Sequence, residues 1–203
     1  VGVRSVCADY FMEAPLHGPD FEKSQSILKK LIKNCKELNI QDIIIPCVDQ
    51  SSLKSELEIT TFIKHITPSL RLAEELNIYI NLETDLAPEQ FLKLIEAIHS
   101  PIIRVNYDTG NSASLGYKIE DEFDAYGKLI SVLHIKDRHL NGSSTLLGTG
   151  DVDFNKVTQL LRQYSHINKI TLQAYRHDDY LLDIHGVKTQ FDFFNMELKG
   201  VLA

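Results

Sequence analysis

Six short runs rich in β-branched residues recur at nearly even spacing: 5–9 (SVCAD), 43–48 (IIIPCV), 78–83 (IYINLE), 102–108 (IIRVNYD), 130–137 (ISVLHIKD) and 170–175 (ITLQAY). Helical patterns lie between most of them. In 21–38, Leu28, Leu31, Ile32, Cys35 and Leu38 fall at helical spacing. Pro88 suits the first turn of a helix over 88–98, and Asp153 is a candidate N-cap for one that follows it. In 51–76, Pro68 is expected to interrupt the pattern and leave one broken helix or two. Strand and helix in regular alternation mean parallel β/α units.

From residue 5 to residue 170 the five steps average 33 residues. A closed eight-unit barrel of about 250 residues uses roughly 31 per unit. Six units fit in 203 residues, which leaves two architectures: a (β/α)8 barrel without its first two units, or an open doubly wound sheet. The chain opens at Val1 with strand-like sequence and no initiator Met, which favours the barrel. No linker or low-complexity segment divides it, so 1–203 is expected to be a single, N-terminally incomplete barrel domain; 141–151 (NGSSTLLGTGD) reads as a loop. Two absent units would expose an edge strand on each side of the gap and invite aggregation, so the working protein is expected to include residues absent here; a homo-oligomer is left open.

Composition narrows the function. With 43% hydrophobic and 24% charged residues the chain reads as an ordinary globular domain. Its net charge of −7, from 21 basic and 28 acidic residues, argues against nucleic acid as a partner. No apolar run approaches the roughly 20 residues of a membrane helix, and no signal peptide opens the chain, so a cytoplasmic protein without a membrane partner is expected. Cys7, Cys35 and Cys47 have no metal or C-x-x-C spacing and read as reduced thiols with packing roles.

Strand parity then sorts side chains by face. Ile78, Ile80 and Leu82 oppose Tyr79, Asn81 and Glu83; Ile103, Val105 and Tyr107 oppose Arg104, Asn106 and Asp108. Leu133 and Ile135 oppose His134 and Lys136, and Ile170, Leu172 and Ala174 oppose Thr171, Gln173 and Tyr175. An apolar face under covering helices and a polar face on the other side fit strands lining a barrel mouth. Buried charge persists there only if it is paired or holds a cation. Active sites of such barrels sit at the C-terminal strand ends, where Glu83, Asp108, His134 and Gln173 fall. Two carboxylates, an imidazole and an amide oxygen suit one divalent metal such as Mn²⁺, Mg²⁺, Co²⁺ or Zn²⁺. Taken singly, each also has a plainer reading, as a helix cap, an ion-pair partner or a hydrogen-bonded core histidine.

The segments INLET (80–84), VNYDTGNSASLGY (105–117), LHIKDR (133–138), LLGTGDVDF (146–154) and TLQAYR (171–176) resemble the sugar-phosphate isomerase and epimerase families of the xylose isomerase-like TIM-barrel superfamily. The resemblance runs over residues 5–176, and D-T-G-N and H-I-K-D-R are its most specific parts. It implies a barrel whose third to eighth strands are present, Glu83, Asp108 and His134 as ligands, and Arg138 as a contact to substrate oxygens. Gln173 stands where the family usually places a glutamate, and Asn111 where several epimerases carry a histidine.

The chemistry this suggests is proton transfer beside the carbonyl of a small sugar or sugar phosphate, with enediolate charge held by the metal. Glu83 is the candidate base. An amide at Gln173 cannot move a proton, which puts two-base epimerisation in doubt and leaves one-base isomerisation, dehydration, or a base from Asp137 or the absent units. Arg138, Lys136 and Asn111 are candidate substrate contacts. Lys136 is alternatively a Schiff-base lysine of a metal-free aldolase. The G-T-G-D loop, Gly148 to Asp151, reads either as a tight turn or as a phosphate cradle. His177, Asp178, Asp179 and His185 read as a solvated helix start, with Asp178 or Asp179 a candidate acid. Readings outside this class are a repair endonuclease on the same barrel, which needs further ligands and a basic groove, and a degenerate barrel that binds or scaffolds.

Overall fold

The β-branched runs form parallel strands; the four over Asp42–Cys47, Tyr79–Thr84, Ile103–Asp108 and Ile130–Ile135 are buried on both faces, whereas those at Ser5–Cys7 and Ile170–Leu172 are partly exposed. The computed structural model describes residues 2–175 and 180–197, and the chain divides into two units, Val1–Asn106 and Tyr107–Ala203.

In the first unit the chain runs through β1 (Ser5–Cys7), α1 (Tyr10–Glu13), α2 (Phe21–Glu37), β2 (Asp42–Cys47), α3 (Glu56–Leu76), β3 (Tyr79–Thr84), α4 (Pro88–Ile98) and β4 (Ile103–Asp108). The strands lie in the order β1-β2-β3-β4 and pair in parallel, with Ile44 opposite Asn81 and Asn81 opposite Arg104. The helices bury one stripe each: Ser24, Leu28, Ile32 and Cys35 on α2, and Phe91, Leu94, Ile95 and Ile98 on α4. Three helix-to-strand turns each use a positive-φ residue, Asn39 (56°), Asn77 (55°) and His99 (50°), to reverse the chain.

Two prolines show what position decides. Pro68 lies inside α3, which is one continuous helix of 21 residues, so the expected break is absent. Pro68 itself is exposed while Phe62, His65, Ile66, Ser69, Leu70 and Ala73 are buried. The carbonyl that the ring deprives of a donor therefore faces water, and the buried stripe forms only if the helix continues. Pro46 lies in β2, between β1 and β3. Ile44 faces β1, since its carbonyl accepts from Ala8 N at 2.9 Å. Pro46 shares that parity, but β1 has ended by then, so the missing N–H costs no ladder bond.

In the second unit β4 leads into α5 (Thr109–Leu115) and α6 (Ile119–Tyr126), followed by β5 (Ile130–Ile135), the antiparallel pair β6 (Asp137–Arg138) and β7 (Ser144–Thr145), α7 (Phe154–Gln163), β8 (Ile170–Leu172) and α8 (Tyr180–Glu197). β5 and β8 pair in parallel, His134 opposite Thr171. The Asp153 side chain caps α7 by accepting from Lys156 N at 2.9 Å, and α7 buries Phe154, Val157, Thr158, Leu160 and Leu161. The strands expected over 5–9 and 170–175 stop earlier, at Cys7 and Leu172. Cys35 and Cys47 are buried as packing residues, whereas Cys7 is exposed. No helix among the described residues is long and apolar enough to cross a membrane.

Candidate metal centre

In the first unit Glu83 stands near the C-terminal end of β3 with 8% of its surface exposed. Its Oε2 accepts a hydrogen bond from Asn106 Nδ2 at 2.6 Å. Asn106 lies on β4 two residues before Asp108, so strand alternation puts the two on one face of a single continuous strand. Further toward the N-terminal ends, Asn81 Nδ2 donates to the fully buried Asp42 at 3.1 Å. The buried thiol of Cys47 is pushed well above the ordinary range by desolvation, then by Asp85 and Glu83. It is buried as a packing thiol.

In the second unit Asp108 (5% exposed) and His134 (6%) end β4 and approach the end of β5, and they bring ligand atoms within 4.8 Å of each other. Asp108 Oδ1 caps α5 by accepting from Asn111 N at 2.8 Å. Its Oδ2 is buried and has no hydrogen-bond partner. A buried carboxylate oxygen without a donor, beside an imidazole, has the donor chemistry suited to a cation.

Of the other residues expected from the sequence, Asn111 lies on α5, Arg138 on β6 and Lys136 between β5 and β6. Arg138 donates from Nη1 to Asn111 Oδ1 at 2.8 Å, and from Nε and Nη2 to Gly142 O at 3.0 and 2.8 Å. These three hydrogen bonds fix the half-buried guanidinium in place. Lys136 is half-buried, its stem against Gly110. A Cβ on Gly110 would sit 2.9 Å from Lys136 Cγ and 3.1 Å from Arg138 Cγ, which explains the glycine of D-T-G-N. Gln173 follows β8 and is exposed, its backbone N–H donating to Ile135 O at 2.9 Å. His185 on α8 is exposed; His177, Asp178 and Asp179 lie outside the described residues.

Two alternatives that the sequence left open do not hold. Asp137 is 1% exposed, and both its oxygens are engaged: Oδ2 accepts from Gly148 N and Gly150 N at 2.9 Å each, Oδ1 from Val152 N at 3.2 Å. A carboxylate spent on three amides is not a free base. The same contacts overturn the phosphate cradle, because the G-T-G-D amides already hold an anion supplied by the chain.

Sequence reading missed Thr109, whose hydroxyl bridges to the Lys136 backbone, and Glu122. Glu122 is buried on α6 and accepts from Tyr107 and Tyr126 hydroxyls at 2.9 Å each, and from Ser112. Burial raises its pKa above the ordinary carboxyl range. The signal was its place one turn before Tyr126 and three residues after Ile119, on the buried face of α6. A cavity of about 200 Å³, lined by Tyr107, Ser112, Tyr117, Lys118 and Lys156 among others, contains none of the candidate ligands.

Residues 2–196 match the family model described as xylose isomerase-like TIM barrel. The chain belongs to this family. Among curated proteins it is 25% identical over 173 residues to 2-epi-5-epi-valiolone 7-phosphate 2-epimerase of Actinoplanes sp., covering 83% of this chain and 62% of that protein. It is 25% identical over 139 residues to probable endonuclease 4 of Staphylococcus carnosus, covering 63% and 47%. The chain thus spans from about half to three fifths of the length of these relatives. A xylose isomerase domain protein from Planctomyces limnophilus shares the fold with a TM-score of 0.78 at 17% identity, over 90% of this chain and 68% of that one. L-ribulose 3-epimerase does so with a TM-score of 0.77 at 15% identity, over 98% and 74%. Solved structures with this fold also include one with bound zinc and one in complex with magnesium. The fold is therefore the xylose isomerase-like TIM barrel, as the sequence resemblance implied.

Proposed function

We propose that this chain carries a divalent-metal-dependent isomerase or epimerase site for a small sugar or sugar phosphate, with Glu83, Asp108 and His134 as the protein ligands of one cation. The observation that carries the reading is Asp108, whose buried Oδ2 lacks a hydrogen-bond donor beside His134. Leaving such an oxygen uncompensated costs several kcal/mol, which a cation offsets. Two carboxylates and an imidazole suit Mn²⁺, Mg²⁺, Co²⁺ or Zn²⁺. A cation held there polarises a substrate carbonyl and stabilises negative charge on its oxygen.

Glu83 is the base that takes the proton from the carbon beside the carbonyl, and the Asn106 hydrogen bond fixes the direction of its carboxylate. Gln173 can lend an amide oxygen as a fourth ligand but moves no proton, so one base serves both directions of transfer. Arg138, held by Asn111 and Gly142, presents its guanidinium to substrate hydroxyl or phosphate oxygens, and Lys136 adds charge nearby. On this reading 1–203 supplies the third to eighth units of one barrel domain. That agrees with its covering 68–74% of the two solved chains.

The likeness to endonuclease 4 supports a second reading, metal-dependent cleavage of nucleic acid. The net charge of −7 weighs against it, since a duplex-binding surface needs basic residues. The test is incubation of metal-loaded protein with ketoses and ketose phosphates in deuterated water. Deuterium entering at the carbon beside the carbonyl, and lost in Glu83→Gln, is expected. No incorporation into any of them would overturn the isomerase reading.

A further inference from the structure

Within the second unit Asp108 and His134 reach each other from two different strands, and one side chain joins those strand ends. Thr109 follows Asp108 directly and is 2% exposed. Its Oγ1 donates to Lys136 O at 2.6 Å and accepts from Lys136 N at 3.0 Å. A single hydroxyl thus satisfies both backbone groups of the residue two places after His134, doing across these strand ends what a pair of ladder bonds would do. The seam is closed from both sides. Asp108 Oδ1 holds the first turn of α5 through Asn111 N, and Gly110 lets the Lys136 stem approach to a distance that a Cβ would not permit and the Arg138 stem to one it would crowd.

We infer that Thr109 is a positioning residue of the metal centre: its hydroxyl clasps the Lys136 backbone and so fixes the spacing between Asp108 and His134. The inference rests on the metal reading above. Both hydrogen bonds of the Thr109 hydroxyl run to the Lys136 backbone and neither to a ligand side chain. Thr109 acts through the backbone on either side, as groups supporting a metal ligand do when their loss weakens affinity by about 10–100-fold. Valine has nearly the shape of threonine without the hydroxyl, and serine has the hydroxyl without the methyl. The pair separates the clasp from packing.

The experiment is titration of chelator-stripped protein with Co²⁺, read by calorimetry and by the visible absorption of the bound ion, with melting of the metal-free protein as a control. Thr109→Val is expected to weaken Co²⁺ binding by about tenfold or more and to change the absorption bands, while Thr109→Ser stays within about threefold of the parent. A Thr109→Val protein with parental affinity and spectrum, whatever its melting temperature, would overturn the inference. So would a Thr109→Ser protein as weak as Thr109→Val. Should Thr109→Val fail to fold, Gly110→Ala pushes on the same seam through Lys136 Cγ with the hydroxyl in place, and parental Co²⁺ binding there would equally overturn it. An unaltered chain that binds no Co²⁺ fails the metal reading itself, which is visible before any variant is made.

Discussion

Replacing Asp137 with alanine should loosen the second unit through a loop that looks remote from it in sequence. The carboxylate accepts from Gly148 N, Gly150 N and Val152 N. A hydrogen bond to a charged group contributes about 1.5–3 kcal/mol. Three that share one carboxylate are not additive, and Gly148 is exposed and Gly150 half-buried, so water replaces part of what is lost. The expected cost of Asp137→Ala is about 3 kcal/mol, or a fall of roughly 1–1.5 M in the urea midpoint. Amide exchange at 148, 150 and 152 should rise well above that of α7, and added formate should recover part of the loss by occupying the vacated amides. Gly150→Ala attacks the same contact from the other side, since its Cβ would lie 2.3 Å from Asp137 Oδ1 and 2.8 Å from Arg138 O. The two changes together should therefore cost less than their sum. An Asp137→Ala protein within about 0.5 kcal/mol of the parent, with these amides still protected, would refute the reasoning.

Glu122 gives a pH signature. Its carboxyl is raised above the ordinary 4.5 by burial, so the stability it contributes is complete below that value and is lost as pH rises through the higher folded value. Against Glu122→Gln, the parent's melting temperature should decline as pH rises above the ordinary carboxyl range; a constant offset between the two proteins as pH rises would contradict the assignment. Arg138→Ala should raise KM for a sugar phosphate by about 10–100-fold, from the loss of a charged hydrogen bond, with Co²⁺ affinity unchanged. Kinetics and metal titration on one sample check both halves, and a weakened metal site with normal KM would reverse the role given to Arg138.

Parity was the most legible feature. Alternation along β3, β4 and β5 placed Glu83, Asp108 and His134 on polar faces before any coordinates, and all three are buried. The even spacing of the strands and the Asp153 cap were legible for the same reason, since each depends on residues close in sequence. What was not legible depends on contacts over longer separations. Pro68 looks like a helix breaker until the buried stripe of α3 shows which side faces water. The G-T-G-D amides look free until Asp137, some eleven to fifteen residues away, is seen to fill them. Thr109 reads as an ordinary helix-start residue, and only the distance to Lys136, 27 positions later, reveals the clasp.

The claim on which the rest depends is that Glu83, Asp108 and His134 hold one cation. Elemental analysis and calorimetric titration of protein purified without chelators test it, with Glu83→Ala and His134→Ala alongside. One equivalent of a divalent metal in the parent, lost or greatly weakened in both variants, is the expected result. A parent that neither retains nor takes up a divalent metal, or variants that bind it as the parent does, would contradict it.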